Sequence, residues 1–272
     1  TYAEFKTKPQ PKGGEKVAYG PAASQFAELW LPQGKGPHPV VVILHGGCWQ
    51  HEVADLGYMN AAAEDLARRG MAVWSVEYRR VDEAGGGYPG TFQDVAAGID
   101  RLRAEAPRHD LDLKRLVIVG HSAGGHLGLW AAGRANLPKT SPLYKPDPLP
   151  IGAVVSLGGL PDLEGTPDAI ALVCGENIVG RLTGPASPSH ADVFADTSPV
   201  KLLPLHTPAI MVQGMYDPIS PPWQGLGYRK LARAKGDQVE VLTIPDAGHF
   251  ELVWPVAPPW DAIAGRLEQA LR

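Results

Sequence analysis

The sequence is poor in cysteine: 272 residues contain two, Cys48 and Cys174. Two are too few for a disulfide scaffold, and their spacing is wrong for a metal cluster. Both are therefore expected as reduced thiols of a cytoplasmic protein. Long apolar runs are also lacking; the longest purely aliphatic one, Val40 to Leu44, falls far short of a membrane span. No basic segment followed by an apolar stretch opens the chain, so no signal peptide is expected within it, although one removed earlier would leave no trace. Excess positive charge is missing as well. Lys and Arg total 25 against 29 Asp and Glu, a formal net charge of -4, which speaks against a nucleic-acid partner. There is no internal repeat and no low-complexity tract.

What remains is an ordinary globular composition, with 44% hydrophobic and 20% charged residues. The length suits one large α/β domain over 1–272. Residues 1–16 are polar, with lysines at 6, 8, 12 and 16 and prolines at 9 and 11, and read as an extended arm. Strand-like and helix-like segments then alternate. Strands are expected at Gln25 to Leu31, Pro39 to Leu44, Met71 to Tyr78, Arg115 to Val119, Ile151 to Leu157, Pro208 to Gln213 and Val239 to Ile244. Helices are expected at Asn60 to Arg69, Thr91 to Glu105, Ala123 to Ala135 and Trp260 to Leu271. Such alternation implies a mostly parallel central sheet flanked by helices. Gly158 to Leu203 breaks the rhythm: it is too long for a simple crossover and rich in Gly, Pro and Ser. It is expected to form a lid or pocket wall, with short helices near Asp168 to Cys174 and Glu176 to Leu182.

The chemistry concentrates around Gly120-His121-Ser122-Ala123-Gly124. A serine hydroxyl is a poor nucleophile unless a base takes its proton and donors stabilise the resulting oxyanion. Gly-x-Ser-x-Gly can hold the serine on a strained strand-to-helix turn, but the pattern alone is a weak signal in a glycine-rich chain. Here its context strengthens it. Leu116-Val117-Ile118-Val119 leads into the turn, and a helix-capable run from His126 to Ala132 leaves it. His45-Gly46-Gly47-Cys48-Trp49, following the Val40 to Leu44 run, can turn backbone amides toward a substrate oxygen.

A base and an orienting acid should follow, acid first. His249 lies in the loop after the strand ending at Ile244, and Asp217 lies just past the strand Pro208 to Gln213. Asp246 is a rival acid, although three residues from His249 it reads more naturally as a turn former. Both loops fall at carboxyl ends of strands, where open α/β sheets place their sites.

Taken together, these four loops resemble the α/β-hydrolase superfamily over nearly the whole chain. His-Gly-Gly-x-Trp with Gly-His-Ser-Ala-Gly-x-His, supported by Val76-Glu77-Tyr78-Arg79 and Phe92-Gln93-Asp94-Val95, is similar to an esterase/lipase group. That group contains serine-type kynurenine formamidases and small-ester carboxylesterases. Cys48 departs from both, since such formamidases carry Tyr there and hormone-sensitive-lipase-like esterases a third Gly. The resemblance implies an α/β-hydrolase fold with a short lid insertion and oxyanion amides from Gly47, Cys48 and Ala123. It implies no metal and no cofactor. The expected activity is hydrolysis of a small to medium carboxylic ester through an acyl-enzyme on Ser122, with His249 as base and Asp217 as its partner. Two alternatives remain open: an aryl formamidase or other amide hydrolase, and a non-catalytic ligand-binding protein on the same scaffold.

His45 is expected to brace the oxyanion loop rather than act as a second base. Trp49, Tyr88, His121, Trp223 and Phe250 are the expected substrate-binding residues, because they fall in segments near the catalytic edge and small-molecule pockets are largely apolar. The expected partner is a small-molecule ester or amide, with no nucleic acid and no membrane; a homodimer is compatible with the sequence.

Overall fold

In the computed structural model, which describes residues 2–272, the chain runs through a short helix α1 (Tyr2–Lys6) and two strands, β1 (Glu15–Ala18) and β2 (Phe26–Trp30). Then follow β3 (His38–Leu44), α2 (Asn60–Arg68), β4 (Ala72–Val76), α3 (Gly90–Asp100), α4 (Leu102–His109) and β5 (Leu111–His121). Next come α5 (Ala123–Ala132), β6 (Ala153–Leu157), α6 (Pro167–Cys174) and α7 (Ile178–Thr183). The last elements are β7 (Ala209–Gly214), α8 (Pro222–Ala234), β8 (Val239–Ile244) and α9 (Pro259–Ala270).

The eight strands form one sheet in the order β1-β2-β4-β3-β5-β6-β7-β8. The pairs β1–β2 and β2–β4 are antiparallel, and the others are parallel. This is the α/β-hydrolase arrangement expected from the sequence. Strand β3 shows how the residues enforce it. Val40 through Leu44 are fully buried, so both faces of the strand are covered. Val40, Val42 and Leu44 enter one core with Trp74, Ile118 and Leu127; Val41 and Ile43 enter the other with Leu66, Val119 and Trp260. Alternate side chains of one strand thus feed two cores, because successive Cβ atoms point to opposite faces.

The connection from β3 moves to β4 on one side, and the chain then returns to place β5 on the other side of β3. Right-handed crossovers therefore put α2 on one face and α3, α4 and α5 on the opposite face. The reversal opens a crevice at the carboxyl ends of β3 and β5, where sheets of this kind bind ligands. The His45 loop and Ser122 both begin there.

Three local expectations change. Within 1–16, Tyr2–Lys6 is helical and Phe5 is buried, where it stacks on Phe250 and meets Tyr58 and Trp254 edge-on. That aromatic contact overrides a polar segment with little structure of its own. The expected helix from Thr91 to Glu105 divides into α3 and α4 at Arg101. Third, the two cysteines are not reduced. Cys48 and Cys174 form a disulfide, with Cα atoms 5.4 Å apart across a sequence separation of 126. Spacing in sequence could not reveal it, because the partner sits on α6 inside the 158–203 insertion. Among the described residues, no helix is long and apolar enough to cross a membrane.

Candidate active site

Strand β5 delivers His121 and then Ser122, whose φ of 54° and ψ of -119° place it on the strained turn the motif requires. The close packing explains the glycines around it. A Cβ on Gly124 would stand 2.0 Å from the Leu44 carbonyl oxygen, so helix α5 could not approach β3 with any other residue there.

Asp217 and His249 come from the loops after β7 and β8. Asp217 Oδ2 lies 2.7 Å from His249 Nδ1, with both side chains buried. The other carboxylate oxygen, Oδ1, accepts from the backbone N–H groups of Ile219 at 2.8 Å and Ser220 at 2.9 Å. Burial pushes the Asp217 carboxyl upward, but the bond and charge of His249 and the two backbone donors outweigh it and hold the group below the usual carboxylate range. The rival acid Asp246 lines the cavity without that bond. Gly158, after β6, lies directly under the pair. Its φ is +53°, and a Cβ there would come within 2.9 Å of both Asp217 Oδ2 and His249 Nδ1.

On the opposite wall, Gly47, Cys48 and Trp49 all have positive φ, at 102°, 54° and 54°. His45 braces this loop as expected. Its Nε2 lies 2.8 Å from Glu77 Oε1, its Nδ1 lies 2.7 Å from the Gly46 carbonyl, and its ring stacks on Tyr78. Burial alone would raise the Glu77 carboxyl, but His45 and Arg80 beside it lower it to about 2.

A cavity of about 580 Å³ lies between these walls, and Ser122, His249, Gly47, Cys48, His121 and Phe250 line it. Ala123 follows Ser122 as the first residue of α5. The cavity is mainly apolar, with Val53, Val173, Pro218 and Ile219 contributing. Val173 comes from α6 in the 158–203 insertion, so that segment supplies one wall. The disulfide joins this wall to the glycine loop at Cys48, and Gln50 Nε2 adds a bond to the Cys174 carbonyl at 3.0 Å.

Of the five expected substrate-binding residues, His121 and Phe250 line the cavity and the other three do not. Trp49 is fully buried; the positive φ values turn its indole into the core, edge-on to His126. Tyr88 stacks on His190 and donates to Asp196 at 2.9 Å, bracing the insertion instead. Trp223, the second residue of α8, is half-exposed and lies outside the cavity. All three lie near the right edge in sequence, but proximity along the chain does not say which way a side chain points.

Tyr58 and Tyr216 also line the cavity, although the sequence motifs do not include them. Tyr216 adjoins Asp217, and that adjacency is the signal by which it could have been found. Tyr58 belongs to a 3₁₀ turn, Leu56–Met59, set by Asp55, whose carboxylate accepts from the Gly57 N–H at 2.9 Å. No motif marks that position.

Residues 28–230 match the BD-FAE family. Esterase LipC of Mycobacterium tuberculosis is 31% identical over 248 residues, covering 88% of this chain and 60% of that protein. Kynurenine formamidase of Danio rerio is 28% identical over 113 residues, covering 41% of this chain and 36% of that protein. The chain thus spans less than two thirds of the length of either relative. Among solved structures, esterase B from Lactobacillus rhamnosis superposes with a TM-score of 0.81 at 19% identity, covering 99% of this chain and 90% of that one. By the family match and the superposed architecture together, the chain belongs to the BD-FAE family and has the α/β-hydrolase fold.

Proposed function

We propose that this protein hydrolyses small to medium carboxylic esters by a Ser122–His249–Asp217 acyl-enzyme mechanism. The observation that carries the reading is the buried 2.7 Å pairing of His249 Nδ1 with Asp217, on the same cavity as a serine held at φ 54°. With Nδ1 engaged as donor, Nε2 is the acceptor available to a serine proton. Ser122 Oγ attacks the ester carbonyl carbon as His249 Nε2 takes its proton. The carbonyl electron pair moves to oxygen, and the Gly47, Cys48 and Ala123 N–H groups donate to the oxyanion so formed. Collapse breaks the bond to the alcohol, which leaves with the proton from His249. Water then attacks the acyl-enzyme by the same route, releasing acid and restoring Ser122.

A cavity of about 580 Å³ is within the range of small-molecule sites and fits the substrate size. The names of the relatives, esterase LipC and esterase B, support the reaction class. We take the 158–203 segment as a fixed wall rather than a free lid, since its helix α6 is covalently tied to the oxyanion loop. The same disulfide favours an oxidising compartment over the cytoplasm. The similarity to kynurenine formamidase keeps an arylformamidase in view as the second reading. Aryl acetates assayed beside N-formyl aromatic amides separate the two. An organophosphonate should label wild type and spare Ser122→Ala; equal labelling of both would remove Ser122 from the nucleophile's role.

A further inference from the structure

We propose that Tyr58 is a positioning residue: its hydroxyl locks His121 in one tautomer and so ties the oxyanion loop to the loop of the catalytic base. The inference rests on the hydrolase reading above, in which those two loops act on one substrate carbonyl.

Donors and acceptors along these contacts fix where each proton sits. His121 Nε2 lies 3.0 Å from the backbone carbonyl oxygen of His249, which can only accept. That nitrogen therefore carries the hydrogen. His121 Nδ1 lies 2.8 Å from Tyr58 Oη, and the same oxygen lies 2.5 Å from the Gly46 nitrogen. The Gly46 N–H can only donate, so Tyr58 Oη accepts from it and sends its own hydrogen to Nδ1. Every proton in the row then has one direction: Gly46 N–H to Tyr58, Tyr58 O–H to His121 Nδ1, and His121 Nε2–H to the His249 carbonyl.

The row works only while His121 is neutral. A protonated ring would turn Nδ1 into a donor facing the Tyr58 hydroxyl. It would also set a cation beside the base, with ring centroids 4.4 Å apart. Full burial, reinforced by the charge of His249, holds His121 well below the ordinary histidine range. Neutrality thus follows from the site itself.

Three loops meet in this row. Gly46 precedes the oxyanion residues Gly47 and Cys48, His121 precedes Ser122, and the final acceptor is the carbonyl of His249 itself. The row reaches from the end of β3, near the middle of the sheet, to the loop following edge strand β8. The turn that carries Tyr58 is itself fixed. Leu56 N–H donates to Glu77 Oε2 at 3.0 Å, and Leu56 and Met59 are buried on either side of Tyr58. Glu77 is also the partner of His45.

Tyr58→Phe keeps the ring and removes only the hydroxyl, leaving Gly46 N–H and His121 Nδ1 without that partner. The expected result is a fall in kcat of about tenfold to a hundredfold on p-nitrophenyl acetate, with KM within about twofold. A rise in KM at unchanged kcat would make Tyr58 a substrate contact and overturn the proposal. In a cycle with His121→Gln, the double variant should be no slower than the worse single variant, since both break one row; additive losses would refute it. Nitrogen-15 histidine shifts of the wild-type protein test the row without any variant. His121 should show protonated Nε2 and a hydrogen-bonded, unprotonated Nδ1 at neutral pH, and the opposite tautomer or an imidazolium overturns it. That measurement needs no turnover. A wild type that hydrolyses no ester would count against the hydrolase reading, and the His121 signal would still decide the proton order.

Discussion

Removing the Cys48–Cys174 bridge tests both the stability and the architecture of the site. The bond closes a loop with a sequence separation of 126, for which loss of chain entropy in the unfolded state gives about 4.9 kcal/mol at 25 °C. Native disulfides typically contribute about 2–4 kcal/mol. With an unfolding entropy of about 2.1 cal/mol/K per residue, a loss of 2–4 kcal/mol across 272 residues lowers Tm by about 4–7 °C. Cys48→Ala/Cys174→Ala should therefore melt about 4–7 °C below the oxidised wild type, and reductant should move the wild type alone. A second effect is expected at temperatures where both are folded. Cys48 holds a φ of 54° in the oxyanion loop, and without the bridge that loop has less to keep its amides aimed. We expect kcat for p-nitrophenyl acetate to fall by about tenfold, more than KM changes. Thiol counting under denaturing conditions completes the assay. Two free thiols in untreated wild type, or a double variant melting within about 1 °C of it, would refute the reasoning.

Other perturbations probe the site from different directions. Gly158→Ala puts a methyl group 2.9 Å from both members of the Asp217–His249 pair at a φ of +53°. It should cost about 1–3 kcal/mol of stability and at least about tenfold in kcat; activity equal to wild type would show that the pair has more room than the geometry allows. Acid should destabilise the protein in a defined window. Burial lowers the His126 pKa to about 4, so the native ring stays neutral where the unfolded one takes a proton. This contribution is complete above pH ~6.5 and is lost as pH falls toward 4. Between pH 7 and 4.5 it should remove on the order of 2–3 kcal/mol, with His121 adding in the same direction. Asp217, shifted downward, adds its own loss only below the ordinary carboxylate range. Urea midpoints at the two pH values measure the sum, and a midpoint unchanged at pH 4.5 would contradict it.

Much of this was legible in the chain itself. Strands β2 through β8 lie where apolar runs and β-branched residues placed them, because a strand covered on both faces must be apolar along its length. The order of the HisGlyGly loop, the serine turn, Asp217 and His249 could be read because each must follow a strand at the same edge of a parallel sheet. Less could be said of the pocket lining. Trp49, Tyr88 and Trp223 occupy suitable positions along the chain, yet backbone dihedrals and local partners send their side chains elsewhere. Tyr58 carries no motif, and only a turn anchored through Asp55 and Glu77 brings it to His121.

The sequence by itself determined strands β2 through β8, their mostly parallel sheet and the order of the candidate site residues along the chain, since these depend on local periodicity and on chain order; the strand order and the pairing of β1 came with the fold. Only the tertiary structure decided which groups meet across long separations. The disulfide joining Cys48 to Cys174, the proton row through Tyr58 and His121, and the burial that keeps His121 neutral all depend on distances between residues remote along the chain. Such distances exist only once the two cores have packed.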